Sequence, residues 1–164
     1  MLVEKVLGKY EKGKPENRII HRVLLDETGM QKRHQRTFSE DGMDVAITLR
    51  DDEVLSDGDV IYIDDTQIVV VEAKEEKVFV LRPQDYRQWA KACYNIGNMH
   101  QHAYLTQEEI LVPYDPILET VIGKLKVPYR SEMRKLIGEK ANISAGQHRH
   151  ARTHGQVHHH EHEV

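Results

Sequence analysis

The chain is poor in cysteine and has no long apolar run, whereas cysteines and long apolar runs are typical of secreted and membrane-spanning proteins, respectively. Only one of its 164 residues is a cysteine, Cys93, so no disulfide can form within the chain, which fits a reducing compartment. No apolar run approaches the roughly 20 residues that a membrane-spanning helix needs. Charges already stand at Glu4 and Lys5, a pattern unlike that of a secretion signal. We therefore expect a cytoplasmic protein without a membrane partner.

An excess of positive charge is also absent. The 23 Lys and Arg residues are outnumbered by 27 Asp and Glu residues, which gives a net charge of −4 when the histidines are neutral. Binding to a phosphate backbone depends mainly on Lys and Arg. A nucleic-acid partner is therefore not expected.

The sequence lacks the usual signs of a catalytic site. It contains no Gly-rich phosphate-binding loop and no spacing typical of a catalytic triad. Cys93 falls on or beside the apolar face of a predicted helix, where a thiol is usually buried and inert. The acid pairs Asp51-Asp52 and Asp64-Asp65 suit turns better than acid–base catalysis. We predict that the protein is not an enzyme.

Histidine, by contrast, is abundant, with eleven residues. His100 and His102 lie where a helix is expected to end and a strand from about residue 102 to 105 to begin. Residues two apart on a strand point to the same face, so both imidazoles could bind one metal ion. Imidazole suits Ni(II), Zn(II) and Cu(II). The alternative is that both are ordinary surface or interface histidines.

A second group of histidines lies near the C-terminus. It comprises His148, His150, His154, His158, His159, His160 and His162. Seven imidazoles in so short a segment have no obvious structural use, and their uneven spacing argues against a purification tag. We predict that they bind metal together with His100 and His102.

Residues 1–74 predict a small all-β domain. Short runs rich in β-branched residues alternate with turn signals such as Asp41-Gly42 and Asp57-Gly58. The charged segment 72–77 favours a domain boundary. The fold class expected for the whole chain is α+β.

Residues 75–140 predict a second domain of ferredoxin-like βαββαβ order. Pro83 suits the first position of a helix with Asp85 in its first turn, and Gly97 suits a left-handed cap at its end. Asp115-Pro116 predicts the start of a second helix. A last edge strand is expected at 127–129, followed by a short helix near 133–137.

Residues 141–164 predict a disordered, His-rich tail. Apolar residues almost vanish there, so the segment cannot bury enough surface to fold by itself.

Taken together, these features resemble the family of urease accessory proteins UreE. The resemblance rests on the Asp-Gly-Asp-Val-Ile-Tyr run at 57–62, the run Ile-Gly-Asn-Met-His at 96–100, the order of the two domains and the His-rich tail. Family members typically have Arg at the position of Met99, so this residue departs from the pattern while His100 stays in register.

The resemblance implies a peptide-binding-like β domain, a ferredoxin-like metal-binding domain and a homodimer. It implies that the paired His100 side chains bind Ni(II) at the twofold interface. The implied function is nickel delivery to urease in complex with the urease accessory GTPase and other urease maturation proteins.

Two other functions remain open. One is a His-rich protein that stores or buffers Ni or Zn without a client enzyme. The other is a peptide-binding chaperone module in which the tail has no role.

Overall fold

The structure, a computed structural model, describes residues 1–14, 16–50 and 53–142. Within these ranges the chain is a mixed α+β protein made mostly of strands, as predicted. Residues 143–164 of the predicted tail, with its seven histidines, lie outside the described residues, whereas Ala141 and Asn142 are described and hydrogen-bonded to Ala103. Among the described residues, no helix has the length and apolar character needed to cross a bilayer.

The first half of the chain contains seven strands and one short helix among its described residues. The strands are β1 (Leu2–Val3), β2 (Gly8–Lys9), β3 (Ile19–Leu25), β4 (His34–Phe38), β5 (Asp44–Thr48), β6 (Asp59–Ile63) and β7 (Gln67–Ala73), and the helix is α1 (Glu27–Gln31). They form a three-stranded sheet of order β1-β5-β4 and a four-stranded sheet of order β2-β6-β7-β3. Two pairs, β1 with β5 and β3 with β7, are parallel.

The two sheets share one apolar core. Val45 and Ile47 of the first sheet lie in the same buried cluster as Val23, Val69 and Val71 of the second. Alternating side chains of a strand point to opposite faces, so each sheet buries one row of β-branched residues against the other.

The prediction of a strictly all-β first domain is wrong at α1. Asp26 caps this helix, because its Oδ1 accepts a hydrogen bond from the Gly29 backbone N–H at 2.7 Å. Met30, on the same helix, is buried in the core between the sheets. A short helix therefore forms in a region for which the pattern of apolar residues predicts only strands and turns.

The second half of the chain follows the order strand, helix, strand, strand, helix, strand, with one further short strand. Its elements are β8 (Glu75–Leu81), α2 (Tyr86–Asn98), β9 (Tyr104–Leu105), β10 (Ile110–Pro113), α3 (Pro116–Lys124), β11 (Tyr129–Lys135) and β12 (Glu139–Lys140). The strands form one antiparallel sheet of order β11-β8-β10-β9-β12.

Both helices pack on one face of this sheet. Phe79 on β8 is fully buried with Ile96 of α2 and with Leu118 and Ile122 of α3. Val78 and the other alternate residues of β8 lie in a separate buried cluster on the opposite face. Strand β8 is therefore covered on both faces, which explains why its apolar residues are consecutive in the sequence.

The predicted start of α3 is confirmed, and two other local predictions are wrong. Asp115 caps α3 by accepting bonds from the backbone N–H groups of Ile117 and Leu118, with Pro116 in the first turn. Asp85 is likewise the cap of α2, so the helix begins after Pro83 and not at it. The segment predicted as a short helix at 133–137 belongs largely to β11, which pairs with β8 along its whole length.

A buried carboxylate lies at the end of β10 away from α3. Glu109 is only 5% exposed and accepts hydrogen bonds from Arg82 Nε at 2.8 Å and Arg134 Nη1 at 2.6 Å. Arg130 Nη2 adds a longer contact of 3.5 Å. Burial acts to raise the pKa of Glu109, but the hydrogen bonds from Arg134 and Arg82 outweigh it and the net pKa is lowered. We call these four residues the Glu109 cluster.

Candidate metal site

His100 lies on the turn that follows α2. The backbone N–H of Met99 donates to the Asn95 carbonyl, so the helix continues past Gly97 to Asn98. The left-handed residue is His100, with φ of 55°, and the prediction of a left-handed cap at Gly97 is wrong. Left-handed backbone costs a residue with a side chain about 1 kcal/mol or more.

The strained turn presents the His100 side chain to solvent. The residue is exposed, and among the described residues its imidazole has no hydrogen-bond partner. Strain at a position with no structural partner is typical of functional sites. An exposed, unpaired imidazole is free to bind a metal ion.

His102 does not share a strand with His100. The strand β9 begins only at Tyr104, so the predicted arrangement of both imidazoles on one strand face is wrong. The physical reason is that His100 has left-handed and not extended backbone, so no strand can run through it to His102. Next to His102, the Ala103 N–H donates to the Asn142 side-chain Oδ1 at 2.9 Å, and the Ala103 carbonyl accepts from the Ala141 N–H.

The imidazole of His102 is held by a carboxylate from the first half of the chain. Its Nδ1 lies 2.6 Å from Oε1 of Glu27, a residue 75 positions earlier in the sequence. Glu27 is the first residue of α1 and is only 7% exposed, whereas the His102 side chain is 34% exposed. One edge of the ring is therefore fixed while a part of the side chain stays accessible.

Other polar groups complete the surroundings of Glu27. The hydroxyl of Tyr104 donates to Glu27 Oε2, and Lys140 Nζ lies 3.4 Å from Oε1. Gln31 Nε2 also donates to Oε1, at 3.1 Å. Burial raises the pKa of Tyr104, and the bond to Glu27 raises it further, so the phenol stays a donor. We call Glu27, His102, Tyr104 and Lys140 the Glu27 cluster.

Both histidines line one pocket between the two halves of the chain. The pocket has a volume of about 400 Å³. Its lining comprises Glu27, Thr28, Gln31 and Lys32 from the first half and His100, Gln101, His102 and Pro113 from the second. The site therefore depends on the contact between the first and second halves of the chain as well as on the loop that carries the histidines.

The C-terminal end of the described chain is attached to the same loop. Asn142 accepts the N–H of Ala103 through Oδ1 and donates through Nδ2 to the Gln101 carbonyl at 3.2 Å. The segment that carries the seven further histidines thus begins next to His100 and His102. No pattern in the sequence indicates this attachment.

The described residues do not form a complete metal site. Among them, no group of three or more His, Cys, Asp or Glu side chains is arranged to hold a metal ion. His100 and His102 share a pocket, and the seven C-terminal histidines lie outside the described residues. Sequence reasoning missed Glu27, since nothing in the run Asp26-Glu27-Thr28-Gly29 predicts a partner in the second half of the chain.

An α+β protein with imidazoles on a loop beside a pocket has the ligand type that suits divalent transition metals. Comparison with known families is more specific. The model of the UreE urease accessory protein N-terminal domain matches residues 3–74, and the model of the corresponding C-terminal domain matches residues 76–163. The chain belongs to the UreE urease accessory protein family.

Curated relatives support the same assignment. Urease accessory protein UreE from Bacillus sp. (strain TB-90) is 32% identical over 139 residues, which covers 83% of this chain and 92% of the relative. The protein of the same name from Geobacillus kaustophilus is 32% identical over 136 residues, and that from Staphylococcus saprophyticus is 31% identical over 142 residues, with the same shares covered.

Proposed function

We propose that this protein is a nickel metallochaperone that delivers Ni(II) for assembly of the urease active site. Membership of the urease accessory family supports a role in urease maturation. The observation that carries the proposal is the exposed, unpaired imidazole of His100 on a strained turn beside the attachment point of the His-rich segment. Nickel is the cargo in this proposal, and the protein acts without catalysing a reaction.

The proposed site is shared between two chains. The described part of one chain provides two imidazoles in the pocket, which is fewer than a closed site needs. A twofold interface places the same residue of both subunits face to face, so a homodimer would bring two copies of His100 together. The remaining ligands come from His102 and from the seven C-terminal histidines.

The proposed domain organisation is that of the family resemblance, with a β-rich domain, a ferredoxin-like domain and a His-rich tail. The order β11-β8-β10-β9, with α2 and α3 on one face, supports the proposal of a ferredoxin-like domain. We propose that residues 75–140 form this domain, that residues 1–74 form the β-rich domain and that residues 141–164 form the His-rich tail. The partners would be the urease accessory GTPase, other urease maturation proteins and the urease apoprotein, all in the cytoplasm.

Imidazole ligands alone do not select nickel. Cu(II), and often Zn(II), compete well for nitrogen ligands on intrinsic affinity, so selectivity would have to come from geometry, metal availability or the partner proteins. A partly open site with imidazole ligands also releases its ion more readily than a closed thiolate site. Such reversible binding suits transfer to a client protein.

The first test is calorimetric titration of nickel into the His100→Ala variant. We expect loss of the tightest binding step, because both copies of the shared ligand disappear, while the parent protein binds about one tight ion per two chains. His34→Ala is the matched control, since His34 is an exposed histidine on β4 that is not among the residues lining the pocket. A tight ion in each isolated monomer, or unchanged binding by His100→Ala, would contradict the shared site.

The second test is truncation after Ala145. It removes all seven C-terminal histidines, so we expect fewer bound ions and slower capture of nickel. The thermal unfolding transition should stay where it is, because the removed residues are almost all polar. Loss of that transition would show that the segment is part of the fold.

A storage or buffering protein is the second candidate, since His-rich segments bind metal without any client. In vitro activation of urease apoprotein separates the two. A metallochaperone increases the yield of active urease at limiting nickel, whereas a buffer lowers it by competing for the ion.

A further inference from the structure

We propose that Glu27 is a positioning residue for nickel binding, because its carboxylate holds His102 by Nδ1 and leaves Nε2 as the nitrogen that binds Ni(II). This inference rests on the proposed function. It assigns a part of the metal site to α1, in the first half of the chain.

The geometry fixes which ring nitrogen is available. A carboxylate oxygen only accepts hydrogen bonds, so the proton between Glu27 Oε1 and His102 Nδ1, which are 2.6 Å apart, belongs to the nitrogen. A neutral imidazole with its proton on Nδ1 carries the free lone pair on Nε2. A metal-binding histidine commonly donates its other ring N–H to a carboxylate in this way, and the bond orients the ring.

Glu27 is itself held firmly enough to orient another side chain. Its backbone N–H donates to Glu76 Oε1 at 2.8 Å, and its carboxylate accepts from Tyr104, Gln31 and Lys140. The residue is almost completely buried at the start of α1. A buried carboxylate with this many donors has little freedom to move, so the His102 ring is fixed as well.

The accessible part of His102 faces the same pocket as His100. Both residues line the cavity of about 400 Å³, and His102 keeps about a third of its side chain exposed. The two imidazoles differ in one respect: His100 is free to turn, while His102 is preorganised. A preorganised ligand loses less conformational freedom when the ion binds, and this favours affinity.

A purely structural role is the competing explanation, in which Glu27 only connects the two halves of the chain. Two readouts separate the explanations. The first needs no metal: the ¹⁵N shifts of the His102 ring at about pH 8, where an ordinary imidazole is neutral, report which nitrogen carries the proton. We expect the Nδ1–H form in the parent protein and a mixture with the Nε2–H form in Glu27→Gln, because an amide can accept from Nδ1–H through its oxygen or donate to Nδ1 through its nitrogen.

The second readout is nickel affinity in a double-mutant cycle. Glu27→Gln should weaken binding about 10-fold in the parent, the lower end of the effect usual for such supporting residues, and should have no effect in the His102→Ala background. Glu109→Gln is the matched control, because it neutralises a carboxylate that is similarly buried but has arginine partners.

The outcomes distinguish the inference from the proposed function. If His100→Ala abolishes tight binding but Glu27→Gln leaves nickel affinity unchanged, or weakens it equally with and without His102, the positioning role is wrong and the metallochaperone proposal stands. If His100→Ala has no effect, the proposed function fails, and an Nε2–H form of His102 in the metal-free parent would overturn the inference independently.

Discussion

The Glu27 cluster and the Glu109 cluster each stabilise a buried carboxylate, but with different kinds of hydrogen-bond donor. Each buries one carboxylate, 7% exposed at Glu27 and 5% exposed at Glu109. Glu109 is surrounded by the guanidinium groups of Arg82, Arg130 and Arg134, which are permanently charged and have no lone pair to offer. Its partners can stabilise a fold but cannot bind a cation.

The partners of Glu27 are chemically more varied. They are a phenol, an amide, an ammonium group and an imidazole. Only the imidazole has a second nitrogen that remains available after the first is bonded. Burial of a carboxylate therefore does not by itself indicate a functional site. A functional site is indicated by the chemical type of the partner side chain and by the exposure of that side chain to a pocket.

The largest expected difference between the two clusters is their response to pH between about 7.2 and 5.8. Imidazole ligands must release their protons before nickel binds, so the nickel affinity should fall as the pH is lowered across this range. The fold should stay intact, because the Glu109 carboxylate is still ionised. Calorimetry in buffers of different ionisation enthalpy counts the released protons. Constant affinity without proton release would mean that the histidines are not the ligands.

The next largest effect is expected for Glu109→Gln. Glutamine keeps one acceptor oxygen but replaces the other with a donor NH2 group, so the three guanidinium groups lose the charge and one acceptor. They are 36–57% exposed, and water replaces part of the contact. We expect a loss of about 1.5 kcal/mol in the free energy of unfolding, measured in urea, and no change in nickel affinity. Glu108→Gln is the control on the neighbouring exposed residue. Equal destabilisation by both variants would contradict a special role of Glu109.

The lowered pKa of Glu109 determines the pH dependence of that effect. Because the pKa in the folded state lies below the ordinary glutamate value of 4.5, the carboxylate stabilises the fold fully above that pH and loses its contribution as the pH falls through the folded pKa. The stability difference between Glu109→Gln and the parent should therefore shrink below about pH 4.5. A difference that stays constant down to acid unfolding would contradict the assigned ion pairs.

The smallest effect is expected for Tyr104→Phe. The variant leaves Glu27 Oε2 without its donor, while Oε1 keeps His102. We expect a loss of about 1 kcal/mol in the free energy of unfolding and a loss of nickel affinity smaller than that of Glu27→Gln, because the bond that holds the His102 ring remains. A loss of affinity as large as that of Glu27→Gln would show that nickel binding follows the stability of the Glu27 cluster as a whole.

Local signals allowed much of the fold to be predicted from the sequence. The runs rich in β-branched residues coincide with β3, β5, β6 and β7, and Asp115-Pro116 marks the start of α3. The end of α2 was misjudged because glycine favours a left-handed cap, whereas here Gly97 stays helical and His100 takes that conformation.

The candidate site was predictable only in part. His100 stands out by its motif, and the abundance of histidine points to metal. The bond from His102 to Glu27 joins residues 75 positions apart, and the bonds of Asn142 to Gln101 and Ala103 span about 40 positions. Such contacts depend on how the sheets pack, and neither periodicity nor spacing encodes that.

The attachment of Asn142 to the His100–His102 loop has a consequence for how binding depends on protein concentration. His148 lies six residues beyond Asn142, and six residues reach at most about 21 Å. One imidazole confined to a sphere of that radius has an effective concentration of roughly 40 mM, however dilute the protein is. In the proposed site, ligands supplied by a second subunit would be lost on dilution, whereas those supplied by the chain's own C-terminal segment would be retained.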